Sequence, residues 1–337
     1  MSAARGSGMI GTMQDEDIRA LREGGRFFYP GPERRQSPWH ALRWAITRRP
    51  TKWPKALENP APSPVLERVP GEALRLTLVN HSTVLVQGGG INVLTDPVWS
   101  RRTSPFRFAG PPRHREPGIA LEDLPPIDAV VLSHNHYDHL DLDTLRRLVA
   151  RGPVRVIAPL EHRALLARAG VADPVELGWW DSAPLGGGVT TTLVPARHWS
   201  SRSLGDDNRA LWGGHVLDLP GGALYFAGDT GYGDGWHFVA ARRRLGPFRA
   251  ALIPIGAYEP RWFMHPQHMN PEEAARAFED LGTASALAIH HGTWQLTDEA
   301  HDAPALALET ALAEREIDPA RFRALGNGVA WDVPPLG

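Results

Sequence analysis

Residues 133–139 read Ser133-His134-Asn135-His136-Tyr137-Asp138-His139, with three histidines and one aspartate within six positions. The apolar run before them predicts a buried β-strand, so this loop emerges at a strand end, where functional side chains collect. In an extended backbone His134 and His136 point to the same side, whereas Asp138 and His139 follow where the chain turns and can face a second ion. The spacing therefore predicts one loop that serves two metal ions.

Further ligand-type residues follow other predicted strands, as the completion of two tetrahedral metal sites requires. His198, Asp229 and His290 each lie within three residues of the end of a predicted strand. Imidazole and carboxylate ligands without thiolate suit Zn²⁺, Mn²⁺ or iron, and Zn²⁺ is the default for a site rich in imidazole. The alternative is a polar surface loop with incidental histidines, and it does not account for this whole set of partners.

The composition excludes several classes of protein. The chain has 337 residues, no cysteine and a formal net charge of -2. Without cysteine it has no disulfide scaffold, iron–sulfur cluster or thiol-based mechanism. The near-neutral charge argues against a general nucleic-acid binder, and no apolar stretch reaches the roughly 18 residues that a membrane span needs. We therefore expect a cytoplasmic protein without a nucleic-acid partner.

The chain divides into a tail, an arm and a large regular region. Residues 1–25 are small and polar, which predicts a disordered tail. Residues 26–70 form a basic arm rich in Trp and Pro, and residues 71–337 form the domain that carries the ligand-type loop. Strands are predicted at 74–79, 83–87, 91–95, 129–133, 154–158, 189–195, 222–227, 250–255 and 286–289, and helices at 143–150, 161–169, 271–281 and 303–316. The fold class is therefore α+β, with mixed sheets covered by helices.

The arm contains a stretch with helical spacing that begins at Pro38. As a helix it places Trp39, Leu42 and Ile46 on one face, and residues 34–55 include seven basic residues and no acidic one. Such a basic helix that carries tryptophan suits the surface of an anionic bilayer. The alternative is that the three apolar side chains dock onto the domain. A docked helix with its basic rim toward lipid combines the two.

The ligand-type residues resemble the motif of the metallo-β-lactamase superfamily, an HxHxDH loop followed by a later His, an Asp and a final His. All seven positions have a counterpart here. The resemblance implies the four-layer αββα fold, in which two mixed β-sheets are sandwiched between helices. It also implies two Zn²⁺ per chain, one held by His134, His136 and His198 and the other by Asp138, His139 and His290, with Asp229 as the bridge.

Three assignments near these ligands follow from the same resemblance. It prefers His290 over its neighbour His291 as the final ligand. His81 and Asp96 occupy positions that the superfamily uses to orient ligands, so we expect support of the metal site from them.

The flanking sequence narrows the resemblance to a family of phospholipases. The string Pro254-Ile255-Gly256-Ala257-Tyr258-Glu259-Pro260-Arg261-Trp262-Phe263-Met264 is similar to the N-acylphosphatidylethanolamine-hydrolysing phospholipase D family and is more specific than the metal loop. The similarity extends from about residue 75 to residue 330. In residues 26–70 only the basic, tryptophan-rich character is shared.

The family resemblance implies a function. It implies a zinc-dependent phosphodiesterase that cleaves N-acylphosphatidylethanolamine to N-acylethanolamine and phosphatidic acid, with a hydroxide between the two metals as nucleophile. The expected catalytic residues are Asp138 and Asp229, with Gln267 and His268 orienting or protonating the substrate phosphate. A phospholipid substrate, peripheral contact with the inner membrane surface and a homodimer are further expectations.

Two alternatives to this function stay open. The first is a hydrolase of the same fold that acts on a soluble ester, a lactone or a small phosphodiester, because function depends on the site rather than on the fold. The second is a membrane-peripheral binding module with a vestigial site, which the complete set of ligand residues disfavours.

Overall fold

Two seven-stranded β-sheets form the centre of the structure, a computed structural model that describes residues 21–30 and 37–336. The strands are β1 (Leu21–Glu23), β2 (Arg26–Phe28), β3 (Leu74–Asn80), β4 (Thr83–Gly88), β5 (Ile91–Thr95), β6 (Ala129–Val131), β7 (Arg155–Pro159), β8 (Val175–Leu177), β9 (Ser182–Gly186), β10 (Val189–Val194), β11 (Gly214–Asp218), β12 (Ala223–Phe226), β13 (Phe248–Pro254), β14 (Ser285–Ile289), β15 (Phe322–Arg323) and β16 (Ala330–Asp332). The helices are α1 (Pro38–Thr47), α2 (Leu142–Arg151), α3 (Arg163–Ala167), α4 (Trp236–Leu245), α5 (Arg261–Met264), α6 (Pro271–Leu281) and α7 (Ala303–Glu314).

Each of the two large sheets combines parallel and antiparallel strands. The first has the order β16-β3-β4-β5-β6-β7-β8, and the second has the order β15-β14-β13-β12-β11-β10-β9. In the first sheet β4 runs antiparallel to β5, whereas β5 runs parallel to β6. In the second, β11 is antiparallel to β12 and β12 is parallel to β13. The prediction of two mixed sheets is confirmed.

Three apolar clusters divide the domain into four layers. The central cluster lies between the sheets and joins Leu76 and Val131 of the first sheet to Leu217 and Leu252 of the second. A second cluster packs α4, α6 and α7 against the outer face of the second sheet. A third packs α2 and α3 against the outer face of the first sheet. The order helix, sheet, sheet, helix is the αββα fold that the resemblance implies.

Several strands near the ligand-type residues are buried along their whole length. Strands β6, β13 and β14 are buried at every position, because sheets and helices cover both of their faces. Strands β12, β13 and β14 run parallel and are adjacent. Their carboxyl ends therefore meet at one edge of the sheet, and the loops after them lie side by side.

Several elements differ from the sequence-based expectations. Helix α3 is shorter than the predicted 161–169, and β8, β9, β11 and α4 were not predicted. Strand β9 is short and contains Pro184, and Pro argues against a strand in a sequence pattern. Helix α4 begins after Gly235, which has a left-handed backbone (φ 72) and provides no side-chain cap. The usual start signal of a helix is therefore missing from the sequence.

The structure describes only the last five residues of the predicted disordered tail, 21–25. Residues 1–20 of that tail lie outside the described residues, and β1 pairs with β2 in an antiparallel hairpin. Phe27 of the hairpin is buried in the central cluster, and the Tyr29 ring lies 5.9 Å from the ring of Trp179. The expected boundary at residue 25 thus falls inside a hairpin that packs on the domain.

Helix α1 of the arm rests on the domain through a face that the periodicity did not single out. The Trp44 ring stacks on the Phe263 ring with centroids 5.2 Å apart. By contrast Trp39, Leu42 and Ile46 are 77%, 49% and 75% exposed. Docking of these three side chains on the domain, one of the two alternatives, is therefore wrong. Among residues 21–30 and 37–336, no helix combines the length and the apolarity that crossing a membrane requires.

Candidate metal centre

All seven predicted ligand residues meet at the edge of the sandwich where the central strands end. His134, His136, Asp138 and His139 occupy the loop between β6 and α2, and His198, Asp229 and His290 follow β10, β12 and β14. Three separate strand ends of the second sheet thus face one loop of the first sheet. For Asp229 and His290 the convergence follows from the parallel strands β12, β13 and β14, whose carboxyl ends open on the same side. Strand β10 runs in the same direction as β12, because β11 is antiparallel to both, and it therefore brings His198 to the same edge.

The first group of converging side chains consists of three imidazoles. The Nε2 atom of His134 lies 2.8 Å from Nδ1 of His136, and Nε2 of His198 lies 3.2 Å from the same Nδ1 atom. One ring nitrogen from each residue lies within 4.8 Å of the others. Three imidazole nitrogens at this spacing can hold one metal ion on three sides.

The second group contains Asp138, His139, His290 and His81. Oδ2 of Asp138 lies 3.6 Å from Nε2 of His139, 3.5 Å from Nε2 of His290 and 3.2 Å from Nε2 of His81. The first three are the predicted members of a second site. His81 was expected only to orient ligands, yet its ring nitrogen lies among them, because the turn between β3 and β4 reaches the same edge of the sandwich. His291 does not belong to either group.

The carboxylate of Asp229 lies between the two groups. Its Oδ2 atom is 3.1 Å from Nε2 of His290, 3.2 Å from Nε2 of His139 and 3.7 Å from Nε2 of His198. Asp229 is thus within reach of the first group and of the second. This is the arrangement that a carboxylate bridge between two metal ions requires.

Several buried polar atoms at the centre make no hydrogen bond within the described residues. They are Nε2 of His136, Nε2 of His139, Nε2 of His290, Oδ1 of Asp229 and Nδ1 of His268. Buried polar atoms without partners are costly, so a cluster of them calls for a ligand. Imidazole nitrogens and a carboxylate oxygen are donor atoms that suit a divalent cation, and the residues present therefore fit the metal centre that the fold implies.

The protonation of the histidines differs between the two groups. Burial lowers the pKa of His136 to about 3 and that of His198 to about 4, so both imidazoles are neutral near neutral pH and have a lone pair to offer. Burial also lowers the pKa of His290, but the carboxylates of Asp229 and Asp138 together outweigh it and raise the pKa to about 9. Without a metal, a proton on His290 therefore compensates part of the negative charge of the carboxylates in the second group.

Asp96 holds the loop from behind. Its carboxylate accepts hydrogen bonds from the Ser133 backbone N–H at 2.7 Å, from the Ser133 hydroxyl at 2.5 Å and from Nδ1 of His139 at 2.6 Å. The backbone of Asp96, His81 and His290 has positive φ angles of 34°, 46° and 62°. Strained backbone of this kind persists where the surrounding structure demands it, as at functional sites. The hydrogen bond from His139 to Asp96 is the contact expected of a residue that orients a metal ligand.

Gln267 and His268, which were expected to act alike, lie at the centre in different ways. The main-chain oxygen of Gln267 accepts a hydrogen bond from Nδ1 of His198 at 3.0 Å. The Nδ1 atom of His268 lies 3.9 Å from Oδ2 of Asp229, and burial holds the pKa of His268 well below its usual range. Gln267 thus orients a ligand through its backbone, whereas His268 presents a neutral imidazole to the centre. Trp199, which was not predicted, lies 4.6 Å from the His136 ring.

The string 254–264 contributes to the centre through its backbone. A Cβ atom added to Gly256 would lie 2.1 Å from the main-chain oxygen of His290, so only glycine permits this approach. The Ala257 and Glu259 backbone N–H groups donate to the carboxylate of Glu299 at 2.7 and 3.2 Å. The string therefore fixes the loop after β13 against the loop after β14.

Comparison with known proteins agrees with this geometry. Residues 91–291 match the family described as "Beta-lactamase superfamily domain". The chain is 39% identical over 268 residues to "N-acyl-phosphatidylethanolamine-hydrolyzing phospholipase D 1" of Caenorhabditis elegans, which covers 76% of this chain and 75% of that protein. It is 41% identical over 259 residues to an uncharacterised protein of Mycobacterium tuberculosis, covering 75% and 68%.

Solved structures show the same fold. A metallo hydrolase from the archaeon Ignicoccus hospitalis superposes with a TM-score of 0.57 at 23% identity, covering 78% of this chain and 100% of that one. The superfamily match, residues 91–291, includes all seven candidate ligand residues. The chain belongs to the metallo-β-lactamase superfamily, in the group that includes the N-acyl-phosphatidylethanolamine-hydrolysing phospholipases D.

Proposed function

We propose that this metallo-hydrolase cleaves the phosphodiester bond of N-acylphosphatidylethanolamine and releases N-acylethanolamine and phosphatidic acid. The observation that carries the proposal is the position of Asp229, whose Oδ2 atom lies within 3.7 Å of histidines from both groups. A bridged pair of metal sites suits an in-line displacement at phosphorus. The substrate is proposed from the similarity to the Caenorhabditis elegans phospholipase.

The residues that would hold two Zn²⁺ are the two groups described above. His134, His136 and His198 would hold one ion, Asp138, His139 and His290 the other, and Asp229 would contact both. When bound, two divalent ions supply a nucleophilic hydroxide near neutral pH and neutralise charge on the phosphate oxygens. His81 adds a nitrogen to the second group, either as a ligand or as a partner of Asp138.

Other residues would position the reacting groups. Asp96 holds His139, and the Gln267 carbonyl holds His198, so both imidazoles present their Nε2 atoms to the centre. His268 is neutral because burial lowers its pKa, and it would therefore donate an N–H to a phosphate oxygen rather than store a proton. In the reaction a water oxygen bonds to phosphorus, the bond from phosphorus to the ethanolamine oxygen breaks, and that oxygen takes a proton from water.

A lipid substrate also requires access to a bilayer, and α1 offers a surface for it. Trp39 and Ile46 are more than 70% exposed on this helix, and the neighbouring Arg43 lies over the Trp262 ring at 4.5 Å. Trp262 is itself 42% exposed. Trp262 belongs to α5, which ends four residues before His268 of the centre, so this apolar and basic surface and the centre share one stretch of the chain. We expect it to contact the surface of an anionic membrane.

The test is turnover of the proposed lipid. Zinc-loaded protein is incubated with N-acylphosphatidylethanolamine in mixed micelles, and the products are identified by mass spectrometry. Wild-type protein is expected to release N-acylethanolamine and phosphatidic acid, and Asp229→Asn to release neither. Metal analysis is expected to give about two zinc ions per chain. If the protein binds two metals but leaves this lipid intact, the substrate is a soluble ester, lactone or phosphodiester instead. The homodimer stays a prediction that light scattering checks.

A further inference from the structure

A second cavity, separate from the metal centre, lies on the outer side of the loop that carries the ligands. Its volume is about 850 Å³, and Asn135, Tyr137 and Leu140 of the loop form part of its wall. The other walls come from residues 100–107, from α2 and α3 and from residues 202–210. None of the seven proposed metal ligands lines it. We call this space the arginine cavity, after the residues that dominate its lining.

The lining carries an excess of positive charge. Seven arginines line the cavity: Arg101, Arg102, Arg107, Arg146, Arg168, Arg202 and Arg209. Four acidic residues accompany them: Asp141, Asp143, Glu161 and Asp206. Seven cations face four carboxylates, so the space is cationic even before the partners of those carboxylates are considered.

The carboxylates are engaged elsewhere. Asp206 accepts hydrogen bonds from the backbone N–H groups of Arg202 at 3.0 Å and of Ser203 at 2.9 Å. Asp141 accepts from the Ser100 N–H at 2.9 Å and from the Thr144 hydroxyl at 2.6 Å. These two carboxylates therefore hold the backbone of the walls through hydrogen bonds, and their charges also favour the nearby Arg202 cation and raise its pKa against the effect of burial.

The remaining two carboxylates have arginine partners. Glu161 pairs at 2.7 Å with Arg22, which does not line the cavity. Asp143 is shared between Arg107 and Arg146, at 3.5 and 3.0 Å.

Three of the arginines have no partner for their side chains. Within residues 21–30 and 37–336, the guanidinium groups of Arg101, Arg168 and Arg209 form no hydrogen bond or ion pair. Arg202 donates through one nitrogen to the main-chain oxygens of Asn135 at 2.9 Å and Leu140 at 2.7 Å. Burial lowers the pKa of Arg202, so a further negative charge in the cavity would stabilise this cation.

We propose that the arginine cavity binds a phosphomonoester dianion, such as the headgroup of the phosphatidic acid that the proposed reaction releases. Planar guanidinium groups recognise phosphate oxygens through paired hydrogen bonds. Hydrolysis converts a phosphodiester, which has one negative charge, into a monoester that carries nearly two at neutral pH. A cavity with three unpaired arginines therefore favours the product over the substrate. The naming of a lipid product depends on the proposed function, whereas the anion site does not.

The apolar part of the lining suits a lipid as the source of this headgroup. Phe106, Leu142 and Leu165 line the cavity beside the arginines. Phe106 is 55% exposed and contacts Phe108, which is 82% exposed, at a centroid distance of 5.6 Å. The exposed rings can cover the glycerol and the first carbons of the acyl chains while the arginines hold the phosphate. Free phosphate would use the arginines alone.

The test is direct binding of two probes to zinc-loaded protein, measured by calorimetry. The probes are dihexanoyl phosphatidic acid and inorganic phosphate, with dihexanoyl phosphatidylcholine as the zwitterionic control. The cavity variant is Arg168→Gln/Arg209→Gln, because neither side chain has a partner whose loss would unfold the protein. The control variant is Arg147→Gln/Arg163→Gln, which removes the same charge from α2 and α3 outside the cavity. Arg202 is left intact because it holds the metal loop.

Each outcome has a distinct meaning. We expect phosphatidic acid to bind the cavity variant at least about tenfold more weakly than wild type, since charged hydrogen bonds of this kind each contribute that order of affinity. The control variant is expected to bind like wild type. An equal loss for inorganic phosphate assigns the site to the phosphomonoester group in either source, and a loss for phosphatidic acid alone assigns it to the lipid. Unchanged affinity of both probes for the cavity variant overturns the proposal.

The binding test does not depend on catalysis. Phosphate can also bind at the metal centre, but Arg168 and Arg209 lie outside that centre. The heat of binding at the metal centre is therefore the same in all variants. If turnover of N-acylphosphatidylethanolamine fails while the cavity variant still loses binding, the anion site stands and the proposed substrate is wrong. The reverse result removes the anion site and leaves the proposed function intact.

Discussion

The Nδ1 atom of His139 lies 2.6 Å from the carboxylate of Asp96, and both side chains are wholly buried. The hydrogen bond directs the opposite nitrogen, Nε2, toward Oδ2 of Asp229 at 3.2 Å. The Asp96 carboxylate also accepts a hydrogen bond from the Ser133 backbone N–H, where the ligand-bearing loop begins. One buried aspartate thus fixes both the start of the loop and the orientation of one of its imidazoles.

Replacement of Asp96 should therefore weaken metal binding without removing a ligand. For Asp96→Asn we expect zinc affinity to fall about 10- to 100-fold, the usual effect of losing a partner that orients a ligand. Competition with a chromophoric chelator measures this affinity. Asp173→Asn, at a side chain that is 92% exposed, is the matched control and should bind zinc like wild type. Equal affinity of the two variants would show that His139 needs no such support.

Metal binding should release protons from the second group. In the metal-free protein His290 has a pKa raised to about 9, and the carboxylates of Asp229 and Asp138 overcome burial to raise the pKa of His139 well above its usual value. Both imidazoles then carry a proton near neutral pH, and a metal must displace these protons to reach the nitrogens. We expect release of about two protons on zinc binding and an affinity that rises with pH until both His290 and His139 have lost their protons.

Calorimetry in two buffers of different ionisation enthalpy measures this proton release. Asp229→Asn provides a matched comparison, because the loss of this carboxylate removes the main cause that raises the pKa of His290. The variant should release fewer protons than wild type. A heat of binding that is the same in both buffers for the wild type would contradict the protonated state of the second group.

The candidate ligand residues could be singled out in the sequence because most of their signal is local, although the choice of His290 over His291 came from the family resemblance. The spacing of His134, His136, Asp138 and His139 after an apolar strand requires no knowledge of distant contacts, and the same holds for residues that directly follow a strand. His81 gave a weaker signal, since a single histidine in a turn between two strands has no distinctive spacing. Only the folded chain places its ring 4.0 Å from the ring of His290.

The face of α1 that docks could not be read from periodicity. Trp39, Leu42 and Ile46 form the apolar stripe that usually faces a core, yet Trp44 makes the contact, since Phe263 of α5, which is remote in sequence, lies against it. The arginine cavity could not be predicted from the sequence either, because its arginines come from four segments that only the tertiary structure brings together. Local patterns thus indicated the candidate ligand residues that the fold brings together, whereas their surroundings depend on contacts between distant segments.

Gly256→Ala should disturb the metal centre through the backbone. The added methyl group would meet the main-chain oxygen of His290 at 2.1 Å, and main-chain atoms cannot move aside cheaply. Overpacking of this kind typically costs about 1–3 kcal/mol, so the unfolding midpoint of the metal-free protein and the zinc content should both fall. Ala257→Gly is the control, because φ at that residue is 60°, a backbone conformation that glycine adopts without strain. Normal zinc content in Gly256→Ala would mean that the loop after β14 tolerates displacement.

The exposed face of α1 should affect membrane binding and not stability. Trp39→Ala/Ile46→Ala removes two side chains that are at least 75% exposed, so the free energy of unfolding should change by less than about 0.5 kcal/mol. Binding to vesicles of phosphatidylcholine and phosphatidylglycerol should weaken about tenfold or more, since burying each such side chain contributes about 1.5–3 kcal/mol. Sedimentation with the vesicles measures the bound fraction.

Trp44→Ala is the comparison for this helix, because Trp44 stacks on Phe263. Its loss should lower the protection of α1 from amide hydrogen exchange, whereas the double variant should leave that protection unchanged. Vesicle binding that is equal for wild type and Trp39→Ala/Ile46→Ala would exclude this face from membrane contact.

His268 and Gln267 should separate in their effect on turnover, although the sequence suggested one role for both. The His268 imidazole lies 3.9 Å from Asp229 and is held neutral by burial, so it can donate to a phosphate oxygen in the transition state. For His268→Ala we expect kcat to fall by about 10²–10³, the effect of losing one such donor, with unchanged zinc content.

The Gln267 side chain forms no hydrogen bond within the described residues, and its main-chain oxygen, which holds His198, survives substitution. Gln267→Ala should therefore keep kcat within about threefold of wild type, a change under 1 kcal/mol. Equal losses of kcat in the two variants would place the Gln267 amide on the substrate as well.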